Sequence, residues 1–201
     1  MFAFYTFLIP PTAASDDADL ALLLSGKVVI EDSQLSSTGG SVRARVLIRA
    51  PVETIWQVIT TCEYAFRYLT GMEDCEVTVS EPERALTHHV VDPGWFAPEM
   101  DYWFETRRHP YSRMDIELTS GNMKEMKGYW QFDPVDDAIL VEHQISIRPS
   151  VPAPRWLVQR KLETDLPDML ACIRGLAGGS LSGEIEKSDL AACQPAPKKT
   201  Q

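Results

Sequence analysis

Residues 154–177 read PRWLVQRKLETDLPDMLACIRGLA, and this stretch decides the fold. Large apolar residues recur in it at steps of three and four, which places them on one face of a helix. They are Leu162, Leu166, Met169, Leu170, Ile173 and Leu176. We expect the opposite face to be solvated, because it carries Arg160, Lys161, Glu163, Asp168 and Arg174. Burying the apolar face would contribute roughly 10–20 kcal/mol before chain entropy is counted, so the helix needs a large apolar surface to pack against.

Pro167 interrupts this helical pattern, because proline has no backbone N–H and its ring clashes with the preceding turn. We expect the helix either to kink there or to end near residues 164–165 and restart with Pro167 in its first turn. A bend would leave the N-terminal half of the helix, around Trp156 and Leu162, free to move over a ligand.

Segments of strand length, separated by short turn signals, precede the long helix. They are residues 75–80, 84–91, 99–108, 113–119, 124–132 and 138–147. Connections this short join antiparallel neighbours. Apolar and polar residues alternate most clearly in residues 113–118 and 139–146. One face of the predicted sheet is therefore apolar and the other polar.

The chain before these strands predicts a short helix over residues 15–26, a strand near residues 27–31 and a half-buried strand over residues 42–48. Pro51 is well placed to begin a helix, and a second short helix is expected over residues 63–69. The fold class is therefore α+β. We expect a strongly curved antiparallel β-sheet of about seven strands, wrapped around the long C-terminal helix.

The two ends of the chain differ in character from this central region. Residues 1–14 have an apolar run followed by a plausible cleavage site, but no basic residue precedes the run. We interpret them as a signal-like leader for export, with a cytoplasmic leader as the alternative. Residues 179–201 are polar and are expected to be a disordered tail.

Composition limits the classes of partner. The net charge of −10 argues against nucleic acid, because binding phosphates needs a basic surface. The basic residues near Arg107, Arg108 and Arg113 are interpreted as a solvated strand edge. The four cysteines have no zinc-site spacing and lie mainly in apolar patterns, so we interpret them as buried free thiols. Disulfides are the alternative if the protein is exported.

Two stretches resemble the START-like superfamily, also called SRPBCC, which includes polyketide cyclase/dehydrase-like and coenzyme Q-binding proteins. Residues 46–69, VLIRAPVETIWQVITTCEYAFRYL, match its strand, Ala-Pro turn, Trp-containing helix and aromatic-rich second helix. Residues 165–177, DLPDMLACIRGLA, resemble its C-terminal helix. The resemblance covers residues 27–178 and implies a helix-grip fold. It also implies a cavity between sheet and helix that holds an apolar or amphipathic small molecule.

Alternation of strand residues places His143 on the same face as Ile139, Val141 and Ile145, so we expect it to point inward. It could orient a ligand or transfer a proton, or it could be a core histidine bonded to the backbone. Further acid–base candidates are His89, Tyr102 and Tyr129.

His88 and His89 are adjacent in a strand and face opposite sides, so we expect no metal site and no cofactor. The loop over residues 92–98 carries Trp95 and Phe96, which could cap the cavity mouth or touch a membrane transiently. The sequence does not predict the oligomeric state.

The inward face of the strands and the apolar face of the long helix predict the ligand contacts. They are Trp56, Tyr102, Phe104, Met114, Ile116, Trp130, Val141, His143, Leu162, Leu166, Met169, Leu170 and Ile173. The first hypothesis is a carrier of a hydrophobic small molecule such as a lipid, isoprenoid or quinone. The second is a polyketide cyclase-type enzyme, and the third is an interaction module without a ligand.

Overall fold

A computed structural model describes residues 13–36, 39–94, 98–151, 155–179 and 183–194. Within these ranges, the side chains of residues 13–17, 32, 35–36, 155–163 and 183–186 are not described. The apolar run of the leader and residues 95–97 of the loop therefore lie outside the described residues.

The part of the chain that the structure describes forms one sheet of eight strands. They are β1 (Val29–Ser36), β2 (Gly39–Ile48), β3 (Met72–Ser80), β4 (Arg84–Val91), β5 (Met100–His109), β6 (Arg113–Gly121), β7 (Met123–Val135) and β8 (Ala138–Pro149). All pairs are antiparallel, and the spatial order is β1-β2-β8-β7-β6-β5-β4-β3. From β3 to β8 each strand pairs with the next one along the chain, as the short turn signals predict. The eight strands agree with the predicted sheet of about seven.

The described residues also form five helices. They are α1 (Ala13–Leu24), α2 (Val52–Thr60), α3 (Cys62–Tyr68), α4 (Arg155–Leu176) and α5 (Gly183–Ala191). Pro51 directly precedes α2 with φ of −56°, which suits entry into a helix. After α3 the chain turns at Gly71, where φ is +80° and an added Cβ would lie 2.0 Å from the carbonyl oxygen of Asp92. The turn therefore requires glycine. The predicted α+β helix-grip fold is confirmed.

The main core lies between α4 and the concave face of the sheet. Leu170 and Ile173 of α4 are fully buried, and Leu166 and Met169 nearly so. They pack on residues that alternate along the inner face of β2 and its neighbours, which include Val42, Ala44, Val46, Ile48, Met114, Trp130, Phe132 and Val141. Leu176 is half-buried at the edge of this cluster. The apolar stripe of the sequence thus becomes the packing face of the helix.

Pro167 lies within α4, which is a single helix from Arg155 to Leu176. The expectation that the helix ends near residues 164–165 and restarts is therefore wrong. The kink, and the mobility of the N-terminal half of the helix, stay predictions. The side chains of Trp156 and Leu162, on which that mobility was argued, lie outside the described residues.

The chain after α4 differs from the expected disordered tail, because α5 packs back on α4. Arg174 was expected on a solvated face, but it is 2% exposed and donates two hydrogen bonds of 2.7 Å to the Asp189 carboxylate on α5. Gln194 adds a backbone hydrogen bond of 2.7 Å to the carbonyl oxygen of Arg67. Periodicity within α4 could not show that a later helix covers its outer side.

The cysteines form disulfide bonds and are not free thiols. Cys62 at the start of α3 pairs with Cys75 of β3, and Cys172 of α4 pairs with Cys193 just after α5. The interpretation as buried free thiols is therefore wrong. Each bond joins two different elements, so the pairing follows from tertiary structure and not from sequence spacing.

Candidate ligand-binding cavity

A cavity of about 570 Å³ lies between the concave face of the sheet, the α2–α3 junction and α4. This volume is in the range of pockets for drug-sized molecules. Its wall is mostly apolar, with aromatic, methionine and aliphatic side chains from β4 to β8 and from the three helices. A wall of this composition suits a ligand that is itself largely apolar.

The strand register defines the two ends of the cavity. Inward residues at the inner end are direct neighbours across four strands, in the row Arg108, Met114, Trp130 and His143. At the other ends of the same strands lie the turns and loops that follow β4, β6 and β8. They form the outer end, whose lining residues Glu99, Asn122, Ser150 and Val151 are exposed. The outer end of the cavity therefore lies at the protein surface.

His143 lies at the inner end with 6% of its surface exposed. Its ring stacks on Trp130 at a centroid distance of 3.8 Å, and its Nδ1 is 3.0 Å from the backbone carbonyl oxygen of Tyr129. Because a carbonyl oxygen only accepts, Nδ1 carries the proton and Nε2 is left as an acceptor. Burial lowers the pKa of His143 to about 4, so the imidazole is neutral at neutral pH.

His89 and Tyr102 form a buried polar pair between β4 and β5 in the cavity wall. Nδ1 of His89 is 3.3 Å from the Tyr102 hydroxyl, and the His89 ring packs edge-on against Phe104. Burial, followed by the neighbouring His88, lowers the pKa of His89 to about 4. Burial also raises the pKa of Tyr102. Both groups are neutral at neutral pH and can exchange a hydrogen bond with a ligand.

Tyr129, the remaining acid–base candidate, lies on the opposite face of the sheet. Its hydroxyl donates to Glu142 Oε1 at 2.6 Å, and the Arg113 guanidinium stacks 4.1 Å from the ring centroid. Burial and the hydrogen bond to Glu142 raise the pKa of Tyr129. The structure therefore separates Tyr129 from the cavity, as its alternation with inward-facing Trp130 requires.

The predicted ligand contacts fall into two groups. Those that line the cavity are Tyr102, Phe104, Met114, Ile116, Trp130, His143, Leu166 and Met169. Val141, Leu170 and Ile173 instead belong to the solid core below the cavity, and Trp56 packs on Phe132 at 5.6 Å between ring centroids. The side chain of Leu162 lies outside the described residues. Period-two alternation identifies the inner face, but it does not distinguish cavity from core along that face.

Sequence reasoning missed Thr106 and Arg108, which also line the cavity. Both continue the alternation of Tyr102 and Phe104 along the inner face of β5. The signal was present in the pattern, but the charge of Arg108 favoured the interpretation as a solvated edge. Tyr68 of α3 was missed as well, and its hydroxyl donates to the backbone carbonyl oxygen of Ile59 at 2.9 Å.

No described helix is both long enough and apolar enough to cross a membrane. Among the described residues, no three or more His, Cys, Asp or Glu side chains are grouped so that they could hold a metal ion.

A curved antiparallel sheet that encloses an apolar cavity against a C-terminal helix defines the START-like class of fold. Residues 48–174 match the sequence model of the family described as "Polyketide cyclase / dehydrase and lipid transport". The match spans more than half of the chain, and the protein belongs to this family. Comparison with curated protein sequences gave no significant match.

Solved structures support the fold. The STAR-related lipid transfer protein from Xanthomonas axonopodis has a TM-score of 0.62 at 15% identity, covering 75% of this chain and 92% of that one. Human STARD10 has a TM-score of 0.58 at 10% identity, covering 85% and 80%. The Zhui aromatase/cyclase from Streptomyces sp. R1128 has a TM-score of 0.56 at 15% identity, covering 69% and 93%. At these identities the likeness shows a shared fold.

Proposed function

We propose that this protein binds and carries a hydrophobic small molecule of lipid, isoprenoid or quinone type in the cavity between the sheet and α4. The observation that supports the proposal is the mostly apolar cavity of about 570 Å³. An apolar ligand would remove both its own surface and the cavity wall from water, and this burial stabilises the complex. The family includes lipid transport proteins by its description, which agrees with this function.

The polar groups in the cavity suit orientation of a ligand better than acid–base chemistry. Efficient proton transfer needs a pKa near the working pH. The pKa values of His89 and His143 are lowered to about 4, and that of Tyr102 is raised. In the free protein these side chains therefore act as neutral hydrogen-bond partners. They can hold a carbonyl, hydroxyl or ring nitrogen of the ligand in one orientation.

The first experiment identifies a bound molecule and then tests the cavity as its site. Native mass spectrometry and solvent extraction of the purified protein should reveal a co-purifying apolar compound. Titration with the neutral dye Nile red measures binding directly. The variant Ile116→Phe adds a ring inside the cavity and should weaken dye binding, because Ile116 lines it.

The matched control is Thr119→Phe on the same strand, at an exposed position that faces away from the cavity. This variant should bind the dye as the wild type does. Equal binding by both variants would rule out the cavity as the site. Absence of any extractable compound together with absence of dye binding would instead favour a ligand-free interaction module.

A second candidate function is a polyketide cyclase-type enzyme, which the paired side chains of His89 and Tyr102 favour. In that case a substrate held in the cavity would exchange protons with this pair. The variants Tyr102→Phe and His89→Gln should then abolish turnover of a polyketide-like substrate while dye binding is retained. Turnover that is unchanged in both variants would exclude the pair as catalytic residues.

A further inference from the structure

Arg108 differs from the other arginines whose side chains the structure describes. Each of those has a carboxylate or carbonyl partner, as in the pairs of Arg107 with Glu117 and Arg174 with Asp189. The Arg108 side chain forms no hydrogen bond or ion pair with any described residue, and its Nε is buried without an acceptor. Arg108 nevertheless lines the cavity.

Thr106 lies two residues earlier on the same inner face of β5 and also has a buried polar atom without a partner among the described residues. It is 7% exposed, it lines the cavity, and its Oγ1 is buried without a hydrogen-bond partner among the described residues. Residues two apart on one strand face are about 7 Å apart, so a long arginine side chain and a threonine hydroxyl can approach the same group. Two unsatisfied polar side chains therefore lie together in a cavity that is otherwise mostly apolar.

Unsatisfied buried polar groups are costly, and native proteins retain few of them. A guanidinium has five N–H donors and no acceptor, so its missing partner must be an acceptor, and its positive charge favours an anion. Burial lowers the pKa of Arg108, with no neighbouring carboxylate opposing the shift. Among the described residues, this partly dehydrated cation thus has no counterion.

We propose that Arg108 and Thr106 form an oxyanion site at the inner end of the cavity and that the ligand is an amphiphile with a carboxylate or phosphate group. The anionic group pairs with Arg108 and accepts a hydrogen bond from Thr106. The apolar body extends along Phe104 and Tyr102 towards Met100 at the outer end, a path of about 26 Å along the strand. The inference rests on the proposed function, because it names the chemical class of molecule that the cavity holds.

The test compares three ligands with the same apolar chain, namely dodecanoate, dodecyl phosphate and dodecanol, by calorimetry below their micelle concentrations. The wild type should bind at least one of the anions about tenfold or more tightly than the alcohol, because hydrogen bonds to charged groups are the stronger ones. The anion that binds more tightly identifies the head group as carboxylate or phosphate.

The variant Arg108→Met keeps an apolar side chain of similar reach and removes the charge. It should weaken binding of the preferred anion by about tenfold to a hundredfold and leave dodecanol binding unchanged. The matched control is Arg107→Met on the adjacent, outward-facing position, where the side chain is 63% exposed. This control should bind all three ligands as the wild type does.

Thermal unfolding without ligand separates a binding role from a structural one. Arg108→Met should melt at the same temperature as the wild type or higher, because it removes a partly buried charge that has no partner. Equal affinity of the wild type for anions and alcohol would overturn the inference, as would equal losses in Arg108→Met and Arg107→Met. If Nile red still binds in that case, the proposed carrier function stands; if nothing binds, both proposals fail.

Discussion

An imidazole that is buried in an apolar wall is held neutral, and His143 is the clearest example in this protein. It is 6% exposed, and its Nδ1–H is satisfied by the carbonyl oxygen of Tyr129. Protonation would place a charge between Trp130 and the cavity, where water cannot solvate it. The pKa of about 4, lowered from 6.5 by burial, expresses this cost. Folding stability must therefore depend on pH in the mildly acidic range.

The sign of that dependence follows from which state binds the proton more tightly. The pKa of His143 is lower in the folded state than in the unfolded state, so the unfolded chain is protonated first as the pH falls. The contribution to stability is complete above the unfolded pKa of 6.5 and is lost as the pH falls towards 4. Between pH 7 and pH 5 the loss from this residue should be about 2 kcal/mol.

Urea unfolding of the wild type and of His143→Gln at both pH values measures this loss. Glutamine can still donate to the carbonyl oxygen of Tyr129, but it does not titrate. The free energy of unfolding of the variant should therefore fall by about 2 kcal/mol less than that of the wild type over this interval. An identical fall in the two proteins would show that His143 is not buried as a neutral group.

At the scale of single elements, α5 packs on the outer side of α4, where an ion pair and a disulfide hold the two together. The Arg174–Asp189 pair is bidentate, and both residues are 2% exposed. The Cys172–Cys193 disulfide links α4 to the segment just after α5. A buried ion pair contributes little net stability relative to apolar packing, but breaking one half of it leaves an uncompensated charge. The packing of α5 on α4 is therefore sensitive to the loss of either Arg174 or Asp189.

We expect Asp189→Ala to lower the free energy of unfolding by about 3–5 kcal/mol, because it leaves Arg174 buried without its counterion. Chemical denaturation of purified protein measures the change. Asp168→Ala is the control on α4, and because Asp168 is exposed, its effect should stay within about 0.5 kcal/mol. The double variant Arg174→Met/Asp189→Leu should recover much of the lost stability. Similar effects of Asp189→Ala and Asp168→Ala on the free energy of unfolding would contradict a buried Arg174–Asp189 ion pair.

At the scale of the whole molecule, the two disulfides hold the helices to the sheet and to each other. Cys62–Cys75 joins α3 to the edge strand β3, and both cysteines line the cavity. Cys172–Cys193 joins the α4 core helix to the C-terminal segment. Bonds of this kind persist in oxidising compartments and are rare in the cytosol. The two disulfides should therefore be retained under oxidising conditions and lost under reducing ones.

Protein produced in an oxidising compartment should contain no thiol that reacts with Ellman's reagent until it is unfolded and reduced. Reduction should then release all four thiols, matching the four cysteines of the sequence. Replacing one pair, as in Cys172→Ala/Cys193→Ala, should cost about 3 kcal/mol for a loop of this length. Free thiols in the native oxidised protein would contradict the pairing.

Up to the end of α4, the sequence alone was sufficient for the order of strands and helices, the α+β class and the inner faces of the strands. These features depend on local periodicity, since a period of two places His143 inward and a period near three and a half places Leu170 on the core face of α4. Short turns between strands determined the antiparallel neighbours. The START-like resemblance agreed with this layout because the same local patterns produce it.

Only the tertiary structure decided which residues meet across elements. Cys62 and Cys75 pair because α3 packs against β3 and brings their Cα atoms to 5.5 Å, which no spacing rule specifies. Arg174 is buried because α5 covers it, although its own helix places it on the polar side. Arg108 follows the inward alternation of β5, but only the packing around it decides that its Nε has no acceptor among the described residues. Periodicity determines the direction of a side chain, whereas packing of distant segments determines what that side chain contacts.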